Sequence, residues 1–139
     1  MTITATSQTL FDGERVAIMK FYASMSTTEN ESAVAKVTPS ALLPSNAGGA
    51  CDGVTILKCT AMTHGLEVQM LWKASTPVPI QIIPPNTNYT QDYSGFGGLW
   101  NNAGTGKDGV ITFTTFDGSA GDAYTVILEM QKHYANPVS

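Results

Sequence analysis

The sequence has little charge and few of the side chains on which metal binding and catalysis usually depend. Lys, Arg, Asp and Glu make up 13% of its 139 residues, and it contains two histidines and two cysteines. His64 and His133 stand far apart, with no His-x-His or His-Glu pair to hold a metal. No Gly-x-Ser-x-Gly motif surrounds Ser94. The sequence therefore predicts a protein that is not an enzyme and binds neither a metal nor a cofactor.

The balance of charge also limits the partners. The chain has seven Lys and Arg residues and eleven Asp and Glu residues, which gives a net charge of -4, and its basic residues form no cluster in the sequence. Nucleic-acid binding depends largely on Lys and Arg contacts to phosphates, so we expect no nucleic-acid partner. No apolar run is long enough to cross a bilayer, and the first residues lack the pattern of a signal peptide. We expect no membrane partner and synthesis in the cytoplasm.

The two cysteines, Cys51 and Cys59, do not form a recognisable disulfide or zinc pattern. Cys59 falls inside a predicted strand, and a domain of this length buries enough surface to be stable without a disulfide. A Cys-x7-Cys spacing without a nearby histidine is a poor zinc signature. We expect both thiols to be reduced, with a bond between them as the alternative.

Short segments in which apolar and polar residues alternate fill most of the chain. They are separated by Gly, Pro, Asn and Asp turns, and no amphipathic helix of useful length interrupts them. This pattern predicts an all-β fold, a single-domain antiparallel β-sandwich of the jelly-roll type. The predicted strands cover residues 15–25, 32–38, 53–62, 66–72, 78–83, 89–93, 110–116 and 123–132.

The turns between these strands also predict how they pair. The first two strands are expected to form a hairpin, and a second hairpin is expected over residues 54–72 around the turn Thr63-His64-Gly65. In the strand 53–62, Val54, Ile56 and Met62 are expected on one face and Leu57, Cys59 and Ala61 on the other. Residues 78–83 contain Pro79, which cannot donate a ladder hydrogen bond, so this strand is expected at a sheet edge.

The sequence divides into an N-terminal arm, residues 1–10, and one domain, residues 11–139. Residues 2–9 alternate small polar and apolar side chains, which fits either an edge strand or an arm that becomes ordered on a partner. We find no internal repeat and no further domain boundary.

A glycine-dense loop at residues 96–109 separates two predicted strands. It is not a phosphate-binding loop, because Asn101 and Asp108 replace the required glycine and the magnesium-binding hydroxyl, and a strand follows it. The aspartates near it are typical of turns, where the carboxylate accepts hydrogen bonds from its own backbone. We therefore predict a surface loop without catalytic residues.

Five aromatic residues lie near this loop in the sequence, and they support an alternative function. Planar rings on the face of a β-sandwich can stack on sugars, which would make the chain a carbohydrate-binding module. The competing interpretation places Trp72 and Phe96 in the core and leaves Trp100 exposed as an anchor for a protein partner. The five are Trp72, Tyr89, Tyr93, Phe96 and Trp100.

Several motifs between residues 11 and 132 resemble a small family of tailed-phage virion proteins that decorate, or cement, the capsid. These motifs are structural turns and strands without catalytic residues. They are DGERVAIMKF (residues 12–21), ESAVAKV (31–37), LWKA (71–74), FGGL (96–99) and GDAY (121–124).

The resemblance implies a structural virion protein on the outside of the capsid, where it would cement neighbouring subunits. The alternative is a carbohydrate-binding or host-recognition module of a tail component. The expected partners of the virion protein are the major capsid protein and further copies of itself, as a homodimer or alternatively a homotrimer. The expected contacts are the residues 2–10, the edge at 78–83 and the loop at 96–100. Within them we expect the contact residues Ile3, Leu10, Ile80, Ile82, Phe96, Leu99 and Trp100.

Overall fold

The structure, a computed structural model, describes residues 3–25, 31, 34–43, 51–99, 109–116 and 121–134. The helices within these residues are two 3-10 turns, Pro39–Ala41 and Ser94–Phe96, and neither is long and apolar enough to cross a membrane. The remaining ordered elements are strands. They are β1 Ile3–Asp12, β2 Val16–Met25, β3 Val34–Val37, β4 Cys51–His64, β5 Glu67–Trp72, β6 Val78–Ile83, β7 Asn88–Asp92, β8 Ile111–Phe116 and β9 Ala123–Tyr134.

The strands form two antiparallel sheets with a nested order of pairing. One sheet has the order β1-β2-β9-β4-β7, and the other has the order β3-β8-β5-β6. From β2 onwards the partners are β2 with β9, β3 with β8, β4 with β7 and β5 with β6. A long hairpin rolled up on itself produces this order, which is that of a jelly roll. The predicted fold class is confirmed, and β1 extends one sheet beside β2.

Alternation along each strand directs one side of both sheets into a shared core. In β9 the buried residues are every second one from Tyr124 to Met130, and β5 follows the same pattern from Val68 to Trp72. Three aromatic rings join the sheets: Phe113 of β8 packs edge-to-face on Phe21 of β2, at 5.4 Å between centroids, and on Tyr124, at 5.9 Å.

The two predicted hairpins are wrong. β2 and β3 lie in different sheets, and so do β4 and β5. A period of two shows that a segment is a half-buried strand, but it does not identify the neighbour with which that strand pairs. In a jelly roll most neighbours in sequence cross from one sheet to the other. The prediction that residues 78–83 form an edge strand is correct, since β6 ends the four-stranded sheet.

The predicted faces of β4 are wrong beyond Ile56, because a β-bulge interrupts the alternation of the strand. The register with β9 shifts between Ile56 and Lys58, so one extra residue is inserted there. Val54 and Ile56 before the bulge, and Cys59 and Ala61 after it, therefore all point into the core. Met62, which was predicted to share a face with Ile56, is 42% exposed on the opposite side.

The N-terminal segment forms an edge strand. The sequence fitted either an arm that becomes ordered on a partner or an edge strand, and Ile3–Asp12 form an edge strand. This strand pairs antiparallel with β2 from Ile3↔Met25 to Asp12↔Ala17. Backbone hydrogen bonding to β2 thus orders the segment within the chain itself.

The turn after β4 carries the chain from one sheet to the other. Gly65 has a φ of 78°, and a Cβ placed there would lie 2.1 Å from Oδ1 of the buried Asp122. The Gly65 amide donates to Asn86 Oδ1 at 3.0 Å, and Thr63 Oγ1 donates to Pro84 O at 2.7 Å. These bonds hold the β4–β5 crossing against the β6–β7 crossing, so both crossings depend on a small residue at position 65.

Gly65→Ala is therefore expected to lower the free energy of unfolding by about 1–3 kcal/mol, because it adds backbone strain and a clash with Asp122. The matched control is Gly95→Ala, since a Cβ at Gly95 meets nothing within 4 Å. Urea denaturation of both variants measures the difference. Equal stability of the two variants would show that the crossing tolerates a side chain.

Candidate functional site

The four sheet edges differ in how readily they accept another strand. β3 has four residues and carries Lys36, β6 contains Pro79, and β7 has five residues and ends at the charged Asp92. Charge, proline and shortness are the usual means by which an edge is protected from pairing. β1 has ten residues, no proline, and no charged residue before Asp12. Among the described strands, β1 is the long unprotected edge.

Apolar side chains are exposed where β1 approaches its turn. Leu10 and Phe11 are each 54% exposed, and the register with β2 shifts between Thr9 and Phe11. The bulge changes the direction of the strand at this point and leaves both side chains in solvent. The exposed edge therefore combines free backbone groups along its length with apolar side chains near its end.

A buried lysine fastens the end of β1 to the rest of the sandwich. Lys132 Nζ donates to Asp12 Oδ1 at 2.5 Å and to the carbonyl oxygens of Gly13 and Leu43, both at 2.9 Å. The Leu43 amide in turn donates to Asp12 Oδ2 at 2.9 Å. All three ammonium protons thus have an acceptor, and β1, β9 and the segment after β3 are joined at one point.

The electrostatics of this contact keep Lys132 charged. Desolvation lowers the pKa of Lys132, but its interactions with Asp12 and Tyr134 outweigh this effect and raise the pKa above its ordinary value of 10.5. A raised pKa stabilises the fold below the ordinary value, and this stabilisation is lost as pH rises through the higher folded value. The fastening of β1 is therefore constant through the neutral range.

The opposite side of the molecule, the β6–β7 edge, presents a second surface with a rigid base. The name β6–β7 edge refers here to strand β6 and to residues 93–99, the segment that directly follows β7. The Ile56 amide donates to Leu99 O at 2.9 Å and the Leu99 amide to Ile56 O at 2.8 Å. Tyr93 donates through its amide to Leu57 O, at 2.8 Å, and through its hydroxyl to Gln81 Oε1, at 2.7 Å. The chain is thus held against β4 and β6 where it enters the glycine-dense loop.

Gly98 makes this close approach feasible. Its φ is 95°, and a Cβ there would lie 2.6 Å from Thr55 Cγ2 and 2.9 Å from Ile56 O. The second glycine of the FGGL motif thus allows Leu99 to form its β-bridge with Ile56.

The expected contact residues fall into two separate groups. Ile3 and Leu10 belong to β1, at one end of the five-stranded sheet, whereas Ile80, Ile82, Phe96 and Leu99 belong to the β6–β7 edge. Ile82 is 49% exposed, but Ile80 and Leu99 are half-buried and pack against the core. The backbones of Ile3 and of Phe96 are described, but their side chains are not, and Trp100 lies outside the described residues.

The core also contains an ion pair that the sequence pattern did not indicate. Lys36 Nζ lies 2.7 Å from Glu31 Oε2, and each side chain is 4% exposed. The Tyr124 hydroxyl donates to the other carboxylate oxygen, and Lys36 lies 5.8 Å from the centroid of the Phe113 ring. Burial, and then the hydrogen bond and charge of Glu31, raise the pKa of Tyr124, so the phenol stays protonated. A register shift between Ala35 and Val37 turns Lys36 inward, against the predicted alternation.

Removing one partner of this pair should destabilise the fold strongly. Lys36→Met leaves the Glu31 carboxylate buried without its cation, and we expect unfolding free energy to fall by about 3–5 kcal/mol. Glu31→Gln combined with Lys36→Met should recover most of the loss, because no charge remains. Lys58→Met, on the exposed face of β4, is the control. Chemical denaturation that gives Lys36→Met and Lys58→Met the same stability would contradict the role of the pair.

The two cysteines and Asp92, which were considered for chemistry, have structural surroundings. Cys51 and Cys59 are buried and free, and burial raises the pKa of both thiols, that of Cys59 to about 12. Asp92 accepts hydrogen bonds from the amide and hydroxyl of Ser94, at 2.9 and 2.6 Å, as the turn interpretation predicts. Within the described part of the chain, no three His, Cys, Asp or Glu residues come together to hold a metal ion.

The outer face of the five-stranded sheet carries a row of uncharged side chains, beside which the Lys20 ammonium lies 5.5 Å from the centroid of the Tyr22 ring. The row runs through Thr6, Tyr22, Thr125, Met62 and Asn88, which are opposite one another in successive strands. Tyr22 is half-buried and Met62 is exposed. The row therefore offers an aromatic ring among hydroxyl and amide groups.

Comparison with known proteins finds similarity only in overall structure. No protein-family model and no curated protein matches the sequence. A cupin domain from Bordetella pertussis Tohama I aligns over 94% of both chains, with 12% identity and a TM-score of 0.32. A mutant of a family 29 carbohydrate-binding module aligns over 97% of this chain and 99% of its own, with 11% identity and a TM-score of 0.35. At such values neither neighbour carries an argument about what this chain binds.

Proposed function

We propose that this chain is a structural protein of a tailed-phage virion, which binds the outside of the capsid and cements neighbouring major capsid subunits. The motifs that resemble capsid decoration proteins support this class. The observation that carries the proposal is the presence of two opposite edges suited to protein contacts, β1 and the β6–β7 edge. Such a protein works by binding alone, in keeping with a core that holds its thiols and its ion pair away from solvent.

The β6–β7 edge is the proposed contact with the capsid. Ile82 supplies exposed apolar area, and the hydrogen bonds of Tyr93 and Leu99 fix the segment from which the loop departs. A fixed base lowers the entropy that a binding loop loses on contact. Phe96 and Trp100, which stand at the start of that loop in the sequence, are the proposed aromatic anchors.

Ile82→Ser should weaken binding to empty shells about ten-fold or more, because it removes apolar area from the contact. Val34→Ser is the matched control: Val34 is 39% exposed, against 49% for Ile82, and lies on the opposite edge of the same sheet. Co-sedimentation of purified protein with shells measures both affinities. Wild-type protein that stays in the supernatant at saturating concentration would overturn the proposed function, and equal loss in both variants would overturn the assignment of the surface.

Carbohydrate binding is the second candidate, and the row containing Tyr22 on the outer sheet face favours it. A half-buried ring flanked by Thr6 and Thr125 can stack on a sugar while the hydroxyl groups bind it. This function predicts that a glycan array gives signals which Tyr22→Ala or Trp100→Ala abolishes, with binding to shells unaffected. Absence of any glycan signal would remove this candidate.

A further inference from the structure

The edge of β1 indicates how two copies of the chain join. We infer that β1 of one copy pairs antiparallel with β1 of a second copy about a two-fold axis, so that two five-stranded sheets become one ten-stranded sheet. Within the described part of the chain, the backbone of β1 pairs with β2 on one side only, and β1 ends the sheet. The pairing itself stands on the geometry of this edge, whereas its role in a virion rests on the proposed function.

The chemistry of the strand favours a second copy as the occupant. In a two-fold antiparallel pair, each residue near the axis faces its own counterpart or a close neighbour of it, so any charge there meets the same charge. Residues 3–11 contain no charged side chain, although the whole chain has eighteen, seven Lys and Arg and eleven Asp and Glu. Residues 3–11 can therefore pair with the same residues of a second copy without repulsion between charges. β-branched Ile3, Thr4, Thr6 and Thr9 also favour an extended conformation.

The contact of Lys132 with Asp12 prepares the edge for this pairing. It holds the end of β1 on β9 and on the Leu43 carbonyl, while the rest of the strand is bonded to β2. A partner strand therefore meets an edge that is already ordered, and association loses less conformational entropy. One edge accepts one strand, so this contact gives a closed dimer.

The dimer would place two identical capsid-binding surfaces at its ends. β7 is the last strand at the other side of the five-stranded sheet, and β6 is linked to it by the short crossing at residues 84–87. Ten strands about 4.8 Å apart put the two β7 strands roughly 45 Å from each other. An axis perpendicular to the sheet leaves both outer faces on the same side. Each dimer then contacts two capsid subunits, and its two contacts reinforce each other.

Opposite charges introduced at Gln8 test the pairing. Gln8 is exposed and lies beside the middle of β1, so two copies of it come near the axis. By light scattering after size exclusion, the wild type should have twice the chain mass of 14.7 kDa. Gln8→Lys and Gln8→Glu should each be monomeric alone, and an equimolar mixture should recover the dimer. Recovery on mixing also shows that both variants are folded.

Gln91→Lys is the matched control, because Gln91 is an exposed glutamine on β7, the other edge of the same sheet, and this variant should stay dimeric. A monomeric wild type, dimeric Gln8→Lys, or a monomeric Gln91→Lys would overturn the inference. Binding to shells separates the two proposals. A dimer that does not bind shells overturns the proposed function and leaves the pairing intact, whereas a monomeric wild type that binds shells does the reverse.

Discussion

The pairing of β9 between β2 and β4 is the interaction on which the rest of the structure depends. This last strand closes the roll, because it joins β1 and β2 from the start of the chain to β4 and β7 from its middle. Its inward residues from Tyr124 to Met130 form much of the core, and Lys132 near its end fastens the end of β1. The fold is therefore complete only after the most distant parts of the sequence have met, which is typical of slowly folding β proteins.

The positions of the strands followed from the sequence, whereas their partners did not. Alternation identified β9 and β5 because one side of each is buried and the other is not. The strand with which a segment pairs depends on which sheet that segment joins. The residues of the turn at Gly65 do not indicate that the chain passes from one sheet to the other there. Bulges were missed for a similar reason: an extra residue at Leu57 or near Lys36 reverses the alternation that the prediction assumes.

Of the surfaces expected to make contacts, the sequence located one sheet edge correctly, and the contact residues themselves stay predictions. Proline in β6 correctly indicated an edge. The FGGL motif was assigned only to a surface loop, and the close approach of Gly98 to β4 was not predicted. Ile80 and Leu99 were expected to contact a partner, but both pack partly against the core. The sequence around them could not show this, because their exposure depends on strands far away in the chain. The absence of charge from residues 3–11 was visible from the start. The proposal that β1 pairs with a second copy depends in addition on the finding that β1 lies at a sheet edge.

The two edges differ in chemistry, and the difference assigns them different partners in this account. β1 offers neutral backbone pairing, which suits a copy of itself, while the β6–β7 edge offers an exposed isoleucine beside a loop with a fixed base. The most direct measurement is electron cryomicroscopy of empty shells incubated with saturating protein, compared with untreated shells. The account predicts added pairs of jelly rolls, joined through β1, at symmetric junctions between capsomers. Shells that remain bare under these conditions would contradict it.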